Sequence, residues 1–210
     1  MYKTSIFAKI CGTVRKTVFI YITRRKEIKM KKIKFSDVTL KTSSAKLSFR
    51  EKIETAKLLD RLDIEALELP LIEKVQVDSL LVKSVVAAVT NTIVTLPVEL
   101  SVEGVETAYA AIAGAEKARL QVAIPVSPIQ MEYVCHLKAP KVLEMASSVM
   151  AKACELCSDV EFVALDATRA DKEFLKSMID TACAAGVKTI TISDDAGLMI
   201  PSEFGAFINE

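Results

Sequence analysis

After residue 30 the chain alternates between extended and helical patterning six times, and that alternation limits the fold more than any other feature of the sequence. The extended runs are KIKFSDVTL (32–40), IEALEL (64–69), TIVTLPVEL (92–100), RLQVAIPV (119–126), DVEFVALDA (159–167) and KTITISD (188–194). Each is followed by a segment with apolar residues at helical spacing. In the first, 48–62, Ile53, Ala56, Leu59 and Leu62 share one face, and Ser48 with Glu51 predicts a capping box. Ser101 is the expected cap of the helix over 101–118, Pro140 sits in the first turn of 140–157, and Gly186 is the expected stop of 171–186. A last helix begins at Pro201. Val- and Ile-rich runs of this kind, nearly continuously apolar, suit parallel strands covered on both faces. Strict alternation means a doubly wound sheet or a (β/α)8 barrel. No Gly-x-Gly-x-x-Gly follows the first strand, which argues against a dinucleotide site.

The first thirty residues differ from the rest. Residues 1–34 hold eleven Lys/Arg and one acid, Glu27, so a chain of net charge +1 divides into a basic start and an acidic body. We therefore separate a basic N-terminal extension, 1–29, from an incomplete barrel domain, 30–210. The extension reads as a transit peptide, as a basic arm without fixed structure, or as the product of a translation start placed too early, with Met30 the true one. The near-neutral total is not that of a nucleic-acid binder. The apolar run TVFIYI is six residues long, against roughly 18 for a membrane span. Neither nucleic acid nor membrane is expected as a partner.

Five cysteines at irregular spacing point to a reducing, cytoplasmic setting. Cys154 and Cys157 form a CxxC inside a helical pattern, without the paired histidines or second CxxC of a zinc site, and are read as small packed residues. The single histidine, His136, is read as a loop residue.

Four stretches carry a family resemblance. FSDVTLK, followed by LSFREKIETAKLLDRLDIEALEL, resembles F-D-T-T-L-R-D-G-E-Q, a helix and I-E-x-G-F-P. VSPIQMEYVCHLKAPKVLEMA is similar to T-S-P-I-H-M-E-Y-K-L with its helix. DVEFVALDATRADKEFL is similar to D-V-E-F-S-A-E-D-A-T-R-S-D-x-D-F-L, and TITISDDAGLMIPSEFG to T-I-N-I-P-D-T-V-G-Y-x-x-P-x-E-F-G. These are motifs of the superfamily of 2-isopropylmalate synthase, homocitrate synthase and HMG-CoA lyase, and the likeness covers residues 31–210. It implies a (β/α)8 barrel with the site at the C-terminal ends of the strands. It also implies a Claisen condensation of acetyl-CoA with a 2-oxo acid held by a divalent metal, with an arginine stabilising charge.

Position by position, the implied machinery is altered. The arginine after the first strand falls on Lys41, which keeps the charge without the planar fork. The metal-binding aspartate falls on Thr42, a poor ligand for a divalent cation. The next two positions are Ser43 and Ser44. The fourth-strand histidine is Gln121, the fifth-strand serine and glutamate are Val163 and Leu165, and the sixth-strand Asn, Pro and Thr are Thr191, Ser193 and Asp195. The family's metal-binding histidine pair lies on a seventh strand, past the last residue here. No metal ligand is therefore assigned, and no cofactor is expected for this chain alone.

Lys41 remains the candidate catalytic position, and Gln121, Thr191 and Asp195 are the candidate substrate contacts. Asp166 and Arg169 are expected as a structural ion pair. Asp37, Glu68, Thr168, Asp194 and Gly197 are read as surviving framework, with the Asp194–Asp195 pair a candidate for a cation or a basic ligand. Six units of an eight-unit barrel, which typically needs about 250 residues, predict a partial barrel. Its first and last strands would be bare edges, covered in a homo- or hetero-oligomer. Three readings of function stay open: a synthase-like enzyme complete only with a further part, impaired or inactive as this chain; a non-catalytic homologue that binds a small anionic ligand or regulates a partner; and a relic.

Overall fold

The computed structural model describes residues 5–10, 17–20, 34–42, 46–62 and 64–210. Six parallel strands follow one another around a curved sheet: β3 (Lys34–Asp37), β4 (Ala66–Glu68), β5 (Ile93–Pro97), β6 (Ala118–Pro125), β7 (Val160–Leu165) and β8 (Thr189–Asp194). Each pairs with the next in chain order. Helices α2 (Phe49–Arg61), α3 (Val75–Val86), α4 (Val102–Ile112), α6 (Ala139–Leu156) and α7 (Lys172–Ala185) cross back between them, and α8 (Pro201–Asn209) follows β8. This is the partial (β/α)8 barrel expected.

Two strands come from the N-terminal segment. The backbone of β1 (Ser5–Ile10) runs parallel to β8, that of β2 (Thr17–Ile20) runs antiparallel to β3, and the two pair with each other. The strand order thereby closes. The bare edges expected at the first and last parallel strands are thus paired by the chain's own backbone, since any extended segment can satisfy an edge's N–H and C=O groups. The proposed start at Met30 lies outside the described residues.

The expected helix signals operate. Ser48 and Glu51 cap each other, with the Ser48 N–H donating to Glu51 Oε2 at 2.8 Å and the Glu51 N–H to Ser48 Oγ at 3.4 Å. Ser101 Oγ accepts from the Gly104 N–H at 2.9 Å, and Gly186 ends α7 at φ 94°. Cys154 and Cys157 are free thiols at the end of α6, half-buried and buried. The first parallel strand is shorter than its pattern suggests. Asp37 Oδ1 accepts from the Thr39 N–H at 2.8 Å and its Oδ2 from the Thr39 hydroxyl at 3.1 Å, which turns the chain into a short helix, α1 (Thr39–Thr42).

The strands are not continuously apolar. They alternate. Leu67, Val94, Leu96, Leu120, Val122, Ile124, Phe162, Ile190 and Ile192 are buried on the helix side, in one core with Val82, Val85, Ile112, Val149, Met150 and Met178. Between them fall Ser36, Glu68, Thr95, Arg119, Gln121, Glu161, Thr189, Thr191 and Ser193, all buried. The inner face of the barrel is therefore polar, where such barrels are usually filled by Val, Ile and Leu. Among the described residues no helix is long and apolar enough to cross a membrane.

Candidate functional site

The polar inner face carries a chain of hydrogen bonds that begins at Lys41. Because α1 starts immediately after β3, it places Lys41 over the C-terminal ends of the strands. The Lys41 ammonium donates to Glu68 Oε2 and to Gln121 Oε1, both at 2.9 Å, and its side chain is 29% exposed. The acid that local sequence does not supply beside Lys41 arrives from β4, 27 positions further along the chain. Gln121, on β6, turns its amide nitrogen to Glu68 Oε2 at 3.3 Å and to Glu161 Oε2 at 3.1 Å. Only this orientation of the amide serves an ammonium at one end and two carboxylates at the other. Glu161 Oε1 lies 2.5 Å from the Thr191 hydroxyl on β8. Ser36 donates to Glu68 Oε1 at 3.3 Å.

Gln121 thus joins two buried carboxylates, of which Glu68 is paired with the Lys41 ammonium. Burial, reinforced by the neighbouring Glu68 charge, raises the Glu161 carboxyl above the ordinary glutamate range, against the pull of Arg119 and of its hydrogen bonds from Thr191 and Gln121. Arg119 itself holds Asp159 at the other end of β6, at 3.0 and 3.1 Å.

Thr42 holds the position of the metal-binding aspartate, and its hydroxyl donates to the Val38 carbonyl at 2.9 Å. Val163 and Leu165 bring no donor to the same end of β7. Among the described residues no cluster of three or more His, Cys, Asp or Glu is placed to hold a metal ion. Thr42, Val163 and Leu165 bring no carboxylate to this mouth. Ser43 and Ser44 lie outside the described residues.

The remaining candidates separate. Asp166 is fully buried at a left-handed φ of 57°, and Arg169 grips it at 2.7–3.0 Å. Asp194 is occupied: the Thr168 hydroxyl donates to it at 2.7 Å and the Met199 N–H at 3.1 Å. Burial opposes its charge, yet these donors hold its carboxyl below the ordinary range. Asp195 is exposed, accepting from Ser193 and, at 3.4 Å, from Gln130. It is not joined to the Lys41 network by any hydrogen bond among the described residues. Gln121 and Thr191 do belong to that network, although both are buried. His136, at a left-handed φ of 52°, lines a separate cleft of about 700 Å³ with Glu132, Lys138 and Asp171.

Two residues escaped the sequence reading. Glu68, read as framework, is the direct partner of Lys41, and Glu161 was not singled out at all. The signal for both is the two-residue alternation that also puts Arg119, Gln121, Thr189 and Thr191 on the inner face.

Comparison with known proteins agrees with this geometry. The model of the HMGL-like family matches residues 32–210. A 2-isopropylmalate synthase of Heliobacterium modesticaldum is 34% identical over 182 residues, covering 85% of this chain and 36% of that protein. One from Clostridium kluyveri is 31% identical over 182 residues, covering 85% and 35%. The chain therefore spans about a third of the length of the curated relatives it matches. In fold it is similar to hydroxymethylglutaryl-CoA lyase from Pseudomonas aeruginosa, with TM-score 0.67 at 13% identity over 83% of this chain and 61% of that one. The HMG-CoA lyase of Bacillus subtilis superposes with TM-score 0.64 at 12% identity, over 83% and 63%. With a family match along its whole parallel barrel and relatives at about a third identity, the chain belongs to the HMGL-like family.

Proposed function

We propose that this HMGL-like barrel binds a small carboxylate at its mouth through Lys41 and, as this chain, does not carry out the condensation that its synthase relatives' names imply. The observation that carries the reading is the pair of adjacent residues on α1. Lys41 keeps a part-exposed ammonium at the strand ends, while Thr42 spends its hydroxyl on the Val38 carbonyl. The charge that holds an anion is retained, and the carboxylate that would hold a divalent cation is not. Condensation also needs a base to take a proton from the acetyl methyl. At the end of β7, where the family pattern has a glutamate, this chain has Leu165.

A single ammonium recognises a carboxylate by charge and up to three N–H donors, without the two-point grip of a guanidinium. The ligand class is accordingly a small monocarboxylate, of which 2-oxo acids are the family's own example. Titrating pyruvate into the wild-type chain and into Lys41→Met by calorimetry tests the reading. Binding to the wild type that Lys41→Met abolishes supports it, and equal binding by the two contradicts it.

A further inference from the structure

We propose that the barrel mouth selects short aliphatic monocarboxylates by their alkyl chains, with Lys41 holding the carboxylate and Ala123, Val163 and Leu165 forming an apolar wall against the chain. This deepens the reading above and rests on it.

The wall follows from strand register. Gln121 on β6 and Glu161 on β7 are register partners and hydrogen-bond each other inside the barrel. Side chains alternate between the two faces of a strand. The next inward pair is therefore Ala123 with Val163, and the one after it Pro125 with Leu165. The residues between them, Val122, Ile124, Phe162 and Ala164, are buried in the helix-side core. Each inward pair lies about 7 Å further toward the C-terminal ends of the strands than the one before it. Lys41 reaches from α1 down to the Gln121 layer. A carboxylate on its ammonium thus has its chain beside Ala123, Val163 and Leu165. Ala123 and Leu165 are only half-buried, whereas their helix-side neighbours are closed off. The wall is open to an entering group.

The same layers offer little to a 2-oxo group or to a second carboxylate. On β8, the neighbouring strand, the Thr191 hydroxyl donates to Glu161 and that of Ser193 to Asp195. Asp195 places an exposed carboxylate at this rim, and Arg169, just after β7, is gripped by Asp166. Where the family pattern carries a serine and a glutamate, this chain has Val163 and Leu165. Discrimination is left to the burial of alkyl surface and to repulsion of further negative charge.

The test is ligand-observed NMR titration of the full chain with acetate, propionate, butyrate, pyruvate and succinate. The Kd is expected to fall about three- to fourfold for each methylene added from acetate to butyrate. Propionate should bind at least as tightly as pyruvate, and succinate more weakly than butyrate. Leu165→Ala should shrink the advantage of butyrate over acetate by about threefold or more, and Lys41→Met should bind none of the acids. A Kd independent of chain length, pyruvate binding more tightly than propionate, succinate binding as tightly as butyrate, or an unchanged advantage in a folded Leu165→Ala chain each overturns the proposal and leaves carboxylate binding at Lys41 standing. If Leu165→Ala does not fold, as circular dichroism would report, the wild-type series alone decides. Butyrate binding that survives Lys41→Met, or no binding of any acid to the wild type, overturns the parent reading and this one together.

Discussion

The amide nitrogen of Gln121 lies 3.1 Å from Glu161 Oε2 and 3.3 Å from Glu68 Oε2, so one side chain on β6 joins two buried carboxylates of β4 and β7. Its oxygen faces the Lys41 ammonium at 2.9 Å. Truncation at Gln121 strips a donor from both acids and an acceptor from the ammonium. Gln121→Ala should lose roughly 2–4 kcal/mol of stability, the cost of leaving buried polar groups without partners. Urea unfolding of the two chains at one pH measures it.

Glu161 gives a pH dependence of definite sign. Its carboxyl is raised above the glutamate value of 4.5 in the folded chain. Below the unfolded value both states hold the proton, and the group is neutral to stability. As pH climbs above it, the unfolded chain ionises while the folded chain keeps its proton, so folding becomes less favourable until the raised folded value is passed. Glu161→Gln copies the protonated form, its amide nitrogen donating to the Thr191 hydroxyl and its oxygen accepting from Gln121. The variant should match the wild type near pH 4 and exceed it progressively at higher pH. A pH series of unfolding midpoints for the pair checks this, and a constant difference at all pH values would contradict it.

Asp60 should behave in the opposite way. It is a buried carboxylate near the end of α2, and it accepts from the backbone N–H groups of Asn91 at 2.9 Å and Thr92 at 2.8 Å and, more distantly, of Thr90 at 3.3 Å. Burial works against its charge, but the N–H donors prevail and hold its carboxyl below the ordinary aspartate value. Its contribution is present above the unfolded value and is lost as pH falls through the lower folded one. Asp60→Ala should cost about 2–4 kcal/mol at neutral pH by orphaning those N–H groups. The difference from the wild type should shrink in acid, as chemical denaturation at the two pH values would show.

Gly104 is held small by contact. A Cβ there would lie 2.6 Å from the Cβ of Glu99 and 2.8 Å from its carbonyl oxygen. The capped start of α4 cannot shift without losing the Ser101 bond. Gly104→Ala should therefore destabilise by about 1–3 kcal/mol, although alanine is ordinarily the better helix former. Thermal unfolding of the variant decides between the two effects.

Much of the barrel was legible because its signals are local. Ser48–Glu51, Ser101 and Gly186 announce helix ends, and the helical stripe at Ile53, Ala56 and Leu59 needs no tertiary information. The first strand was read three residues too long because Asp37 captures Thr39, a side-chain choice that apolar patterning does not register. The site was harder to see. Lys41, Thr42 and the Asp166–Arg169 pair could be placed by family likeness. The partners of Lys41 lie 27 and 80 positions away, and only the barrel's register puts them side by side. Glu68 and Glu161 were nonetheless visible as inward members of alternating runs, a pattern hidden when the strands were taken as uniformly apolar. The closing pair β1 and β2 was not foreseen, because composition alone set the basic N-terminal segment apart from the barrel.

The most direct test of the account is a coupled assay. Purified chain, acetyl-CoA, a divalent metal and a panel of small 2-oxo acids are incubated, and free CoA is followed alongside calorimetric binding of the same acids. The account predicts Lys41-dependent binding with CoA release no faster than the protein-free blank. Metal-dependent CoA release that requires a 2-oxo acid would contradict it.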